Sequence, residues 1–344
     1  MASRSSGTRR AAALIAGAAT TLTLAIGATA CGSDKSGPIT IYSGREEELM
    51  APLFELYEEE TGNEVEVRYG DSAELAATIL EEGDKTPADV FFSQDAGALG
   101  ALEKEGRLSE LGESIISSVD ERYRSRDGLW VGTSGRARVI AYDSRELSRS
   151  DLPDSVLDLT GPKWDGRVGW APTNGSFQAF VTALRLTEGD DAAREWLEGM
   201  DGNGTESFAD NSSIRDAIAA GEIDLGLINH YYVAQAQEEE GAGYPVEVHF
   251  PTGGDVGALI NVAGAGVLAG SERQEESSEF VAFLLSPQAQ RFFAEETKEY
   301  PLIDGVEADP SVVPLSRIEQ PRIDLSNLDD LQGTLIVIEE SGAL

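Results

Sequence analysis

Short apolar runs alternate with amphipathic stretches along most of the chain. Ile39-Thr40-Ile41-Tyr42 reads as a strand. It leads into a helical pattern over residues 47–60, with Leu49, Leu53, Phe54 and Tyr57 at helical spacing. Residues 65–69 predict a second strand and residues 72–82 a second helix, with Leu75, Ile79 and Leu80 inward. Asp89-Val90-Phe91-Phe92 predicts a third strand. This β-α-β-α-β rhythm implies a parallel sheet with helices on both faces. After Trp130 it resumes, with strands over 138–142, 167–170, 223–228 and 258–262. Helices are predicted over 177–186, 191–200, 213–220, 274–285 and 287–296.

The first residues break the rhythm. Arg4, Arg9 and Arg10 precede an apolar stretch from Ala11 to Ala28, which has the form of an export signal. It ends at Ala28-Thr29-Ala30-Cys31. Small residues before a lone cysteine resemble a bacterial lipoprotein cleavage site. The resemblance implies a signal peptide over 1–30, lipidation of Cys31 and a short polar tether to residue 37. A soluble secreted protein is the other reading. No later segment approaches the roughly 18 apolar residues needed to span a bilayer. Membrane attachment is therefore expected only through the lipid, on the outer face of the cell membrane.

Charge then narrows the function. The 344 residues hold 26 Lys or Arg and 62 Asp or Glu, a net charge of -36. Without residues 1–30, which carry three Arg and no acid, the balance is 23 against 62. Nucleic acid is a poor partner for such a chain, since phosphate must be neutralised by basic residues. Cys31 is the sole cysteine, so no intrachain disulfide or cysteine zinc site is possible. Two histidines, His230 and His249, leave little for a triad or a three-histidine zinc site. There is no Gly-x-Ser-x-Gly elbow and no His-Glu-x-x-His run, and a binding protein is expected rather than an enzyme.

Two α/β lobes on an exported chain suggest a solute trap. Ligands of open α/β sheets sit beyond the carboxyl ends of strands. Here those ends carry Tyr42-Ser43-Gly44, Ser93-Gln94-Asp95, Thr173-Asn174-Gly175-Ser176 and Asn229-His230-Tyr231-Tyr232. Adjacent tyrosines often place one ring in the core and one on the surface. On a strand-end turn, both phenols could instead reach one metal; on a continuing strand they would point to opposite faces. Ferric iron is a Lewis acid hard enough to ionise two phenols at neutral pH. Asn174-Gly175-Ser176 opens the helix predicted over 177–186, whose free N–H groups suit an anion; a plain cap at Ser176 is the other reading.

From Ile39 to Leu344 the chain resembles the ferric-iron-binding substrate-binding proteins of bacterial ABC importers. The resemblance rests on Tyr42-Ser43-Gly44-Arg45, the run from Gly83 to Phe91, Ser134-Gly135-Arg136-Ala137-Arg138-Val139, Pro162-Lys163-Trp164, Asn229-His230-Tyr231-Tyr232 and Glu299-Tyr300-Pro301-Leu302. It implies a type II periplasmic-binding-protein fold with two hinge-linked lobes, residues 38–136 with 258–312 and residues 137–257 with 313–344. It also implies a monomer that captures ferric iron in the cleft and delivers it to a permease and its ATPase. Tyr231 and Tyr232 fall on the family's paired ligands. Asn174, Gly175, Ser176, Asn211 and Asn229 fall where a synergistic phosphate or carbonate is held. Arg136, Arg138 and Tyr42 are expected behind these groups. Where some members have a histidine ligand this chain has Glu46, and where some have a glutamate it has Gln94, then Asp95. Three arrangements follow: Glu46 completes the iron site; the tyrosines, anion and water suffice; or the ligand is an organic cation such as thiamine or a polyamine, or an oxyanion or phosphonate. His230 is expected as a satisfied neighbour of the tyrosines and His249 as structural.

Overall fold

A computed structural model describes residues 37–241 and 243–343 of the chain. The expectations for residues 1–36, lipidation of Cys31 included, lie outside the described residues. Ten strands form one sheet: β1 (Ile39–Ser43), β2 (Val65–Tyr69), β3 (Val90–Ser93), β4 (Val131–Asp143), β5 (Val168–Trp170), β6 (Glu206–Ser207), β7 (Leu225–Asn229), β8 (Val246–His249), β9 (Ile260–Val267) and β10 (Tyr300–Pro301). Their order is β2-β1-β3-β9-β4-β7-β5-β6, with β8 and β10 pairing on β4.

The first β-α-β-α-β run forms as the periodicity predicts. β2, β1 and β3 are parallel, with helices Glu47–Thr61 and Ser72–Glu82 between them. β1 and β3 are buried throughout or nearly so, as apolar strands covered on both faces should be. Parallel pairing returns in β6-β5-β7. The expectation of a parallel sheet fails in the middle. β9 runs antiparallel to β3, and β4 runs antiparallel to β9, β7 and β8.

β4 explains the architecture. Its first half, from Val131 to Ala137, pairs with β9; its second half, from Arg138 to Tyr142, pairs with β7. Through two antiparallel steps, β3 points the same way along the sheet as β4, whereas β7 points the opposite way. The carboxyl ends of β1–β3 and of β5–β7 therefore face each other across the middle of β4. Only the second half of this strand reads as one in the sequence, because Gly132, Thr133, Ser134 and Gly135 interrupt the apolar pattern. The glycines are there for close packing. A Cβ on Gly132 would stand 2.6 Å from the Tyr123 carbonyl oxygen, and one on Gly135 would crowd Tyr300 of β10.

Four further helices among the described residues were not predicted, one of them the single turn Glu113–Ile116. Ala96–Lys104 follows β3, Tyr231–Glu240 follows β7, and Leu331–Glu340 packs on the helices Gly175–Glu188 and Asp190–Gly202. Among the described residues no helix is long and apolar enough to cross a membrane.

Candidate functional site

A cavity of about 440 Å³ lies between the two sets of strand ends. Tyr231, Tyr232, Glu46, Gln94, Asn174, Gly175, Ser176, Asn211, Asn229 and Arg136 all line it. Three helices begin on the wall beyond β5–β7: Gly175–Glu188, Asn211–Ala220 and Tyr231–Glu240. Each presents unpaired N–H groups and the positive end of its dipole.

Side chains knit these helix starts together. Asn174, rather than Ser176, is the cap: its Oδ1 accepts from the Ser176 N–H at 3.0 Å and from the Ser176 hydroxyl at 2.6 Å. Asn211 donates through Nδ2 to Asn174 Oδ1 at 3.2 Å and to Ser176 Oγ at 3.3 Å. Its Oδ1 accepts from the Asn229 N–H at 3.2 Å and from Arg138 Nη1 at 3.4 Å. Asn174, Ser176, Asn211 and Asn229, four of the five residues expected around an anion, are thus joined in one hydrogen-bonded network.

Arg138 lies beneath that network and does not line the main cavity. It also donates to Ser176 Oγ at 3.3 Å and to the Leu227 carbonyl at 2.7 Å, and its guanidinium sits over the rings of Phe177 and Phe180. No carboxylate pairs with it among the described residues. Burial therefore depresses its pKa to about 9, with the Tyr232 and Tyr231 phenols opposing. Arg136, buried on the cavity wall, has no hydrogen-bond partner for Nε.

Tyr231 and Tyr232 occupy the first two positions of their helix, not a strand-end turn. The rings stack with centroids 4.4 Å apart and planes at 29°. Burial holds the Tyr232 phenol above its ordinary range, the neighbouring Tyr231 and the Glu46 charge add to this, and Arg136 opposes it. His230 fixes the turn into the helix. Its Nδ1 accepts from the Ala137 N–H at 3.1 Å, so Nε2 carries the proton that faces the Lys298 carbonyl at 3.0 Å. The ring also stacks on Tyr300 at 4.4 Å. With both nitrogens engaged and burial pushing its pKa down to about 4, His230 is a neutral structural group. His249 is likewise spent on the Pro153 carbonyl, at 2.8 Å.

The facing wall is the start of helices Glu47–Thr61, Ser72–Glu82 and Ala96–Lys104. Asp71 and Asp95 cap their helices, Asp71 accepting from the Ala73 and Glu74 N–H groups and Asp95 from Ala98. Burial pushes the Asp95 carboxyl up, against its cap bond and Arg136. Glu46 stands at the start of its helix without capping it, and is exposed. Gln94 is held through its backbone, which donates to Ser72 Oγ at 2.9 Å, leaving its amide to the cavity. Tyr42 turns away: its hydroxyl donates to Glu82 at 3.2 Å and accepts from Arg68 at 3.0 Å.

Sequence reasoning missed Glu47, Tyr69, Asp71, Arg45 and Asn261, which also line the cavity. Tyr69-Gly70-Asp71 is the end of the second predicted strand, so the strand-end rule alone pointed there. Among the described residues no three His, Cys, Asp or Glu side chains come together as a metal cluster. The oxygen donors this cavity offers a metal are the two phenols, Tyr69, single carboxylates and side-chain amides.

Known proteins share the fold and much of the sequence. Residues 85–325 match the family model for bacterial extracellular solute-binding proteins. The chain is 35% identical over 309 residues to the major ferric iron-binding protein of Neisseria meningitidis, covering 88% of this chain and 92% of that one. Iron-bound HitA from Pseudomonas aeruginosa superposes with a TM-score of 0.83 and 32% identity, over 89% of this chain and 99% of that one. Trichodesmium IdiA (FutA), solved with iron and citrate ligands, gives a TM-score of 0.79 and 28% identity over the same shares. The chain belongs to the ferric-iron-binding family of bacterial extracellular solute-binding proteins.

Proposed function

We propose that this protein captures ferric iron in the cavity between its strand ends and carries it to an ABC importer. The observation that carries the reading is the stacked Tyr231–Tyr232 pair beside a hydrogen-bonded wall of helix starts. Ferric iron is hard and prefers charged oxygen donors, and two phenolates supply them. As each Fe–O bond forms, the phenol O–H breaks and its proton leaves for solvent. Arg138 then faces negative charge that no carboxylate supplies to it among the described residues. A phosphate or carbonate is held at Asn174, Gly175, Ser176, Asn211 and Asn229, where free N–H groups and the buried Arg138 favour an anion. Iron settles on this wall first. The lobes, residues 38–136 with 258–312 and residues 137–257 with 313–344, then close about β4 and β9, bringing Glu46 and Gln94 toward the metal.

The export signal and Cys31 support anchoring to the outer face of the cell membrane, with a monomer delivering iron to a permease and its ATPase. Replacing both phenols, Tyr231→Phe with Tyr232→Phe, is expected to abolish iron binding while leaving the thermal unfolding midpoint unchanged. Equilibrium dialysis against ferric citrate measures the first and calorimetry the second. Retained iron in the double variant sinks the reading.

A further inference from the structure

The tyrosine hydroxyls of this chain fall into two groups. Those of Tyr42, Tyr57, Tyr123, Tyr142 and Tyr300 are hydrogen-bonded to protein groups, as half-buried phenols usually are. Tyr69 and Tyr244 have no such partner among the described residues; Tyr244 lies away from the cavity, whereas the half-buried Tyr69 lines it.

Its position is fixed from behind. Tyr69 ends β2, where the alternation of the strand turns it to the same face as Val65 and Val67. Its ring stands edge-on to Phe54 of the helix Glu47–Thr61, with centroids 6.4 Å apart. Glu47 is the charge that Tyr69 feels, and Glu46, the next residue, is felt by Tyr232 from the other wall. Tyr69 therefore sits on the acid-bearing wall of the cavity that the tyrosine pair also lines. Packing on Phe54 explains the ring. It leaves the hydroxyl, on a residue that lines the cavity, without a protein partner.

We infer that Tyr69 is a third phenolate ligand, supplied by the first wall to iron already held by Tyr231 and Tyr232. The assignment rests on the ferric reading above. A third hard, anionic oxygen suits ferric iron as the first two do, and it does so where no cluster of carboxylates or histidines is available. Binding breaks the Tyr69 O–H bond and forms an Fe–O bond, with the proton released to solvent. Glu46 and Glu47 then act as nearby negative charge that draws the cation in.

The test is Tyr69→Phe, titrated with ferric citrate beside the unaltered protein. The phenolate-to-iron band, measured per bound iron, should fall by about a third, in proportion to the phenolates bound. Iron affinity in competition with citrate should fall about tenfold or more, at least the cost of losing an outer-shell partner. The iron-free variant should keep its unfolding midpoint, since the ring and its Phe54 contact remain. An unchanged band and affinity in Tyr69→Phe, with a normal band in the unaltered protein, overturns the third ligand alone. No band in the unaltered protein overturns the ferric reading, and this assignment with it.

Discussion

Each wall of the cavity is three strand ends that turn into three helix starts, yet the two are finished differently. Beyond β5–β7, the side chains of Asn174, Ser176, Asn211 and Arg138 are spent on one another and, with the Asn229 N–H, form a single network beside the cavity. Beyond β1–β3, Asp71 and Asp95 cap their helices, while Glu46, Tyr69 and Gln94 keep their side chains free toward the cavity. One wall is shaped before any ligand arrives; the other holds loose oxygen donors on a packed scaffold. A preorganised site loses little freedom on binding, and a set of free donors adapts as it closes. Under the proposed function, the difference would set an order of events, with capture on the networked wall and completion from the acidic one.

Acidity should separate the walls most sharply. Protons compete with iron for phenol oxygens, so affinity falls as pH falls. Two phenols on the networked wall make the dissociation constant rise by about two decades per pH unit, and a third from Tyr69 makes the slope steeper. Iron competition assays across the neutral range read that slope. A slope near zero would remove phenolate from both walls.

Stability should respond more strongly on the networked wall. Asn211→Ala strips the acceptor from the buried Asn229 N–H and the donor from Asn174 and Ser176, at a cost of about 2 kcal/mol. Glu46→Gln on the facing wall should stay within about 0.5 kcal/mol of the original. Urea unfolding compares them, and equal effects would erase the contrast.

The smallest effect concerns Asp95. Burial raises its carboxyl in the folded state, so its charge opposes folding once the pH exceeds the ordinary carboxylate range. The contribution is present at low pH and lost as pH rises. Asp95→Asn keeps a cap acceptor and removes the charge, so it should raise the unfolding midpoint at neutral pH and leave it unchanged near pH ~3. The same shift at both values would assign the gain to something other than charge.

Much of this was legible along the chain. The first three strands and their helices follow from plain periodicity, and the strand-end rule led to Asn174, Asn229 and the tyrosine pair. What stayed hidden has physical causes. β4 is interrupted by glycines because the chain near Tyr123 and β10 lie against its backbone. The helix Tyr231–Glu240 has no side-chain N-cap; His230, already helical, holds its start through long-range bonds to Ala137 and Lys298. No local pattern reports such bonds. Ala96–Lys104 carries Gly97 and Gly100 where the carbonyls of Leu328 and Ser326 approach, a contact made from more than 200 residues away. Tyr69 looked like an ordinary strand aromatic, since its free hydroxyl is a property of the cavity. Tyr42 and Arg138 were expected behind the ligating groups; Tyr42 instead bonds Glu82 and Arg68, while Arg138 lies behind the network and bonds Asn211.

The measurement that matters most is a titration of the purified, lipid-free protein with ferric citrate, followed by visible absorption. A broad phenolate-to-iron band in the blue-green that saturates at one iron per chain is the expected result. A folded protein that takes up no iron, or takes it up without that band, would contradict phenolate capture of ferric iron in this cavity.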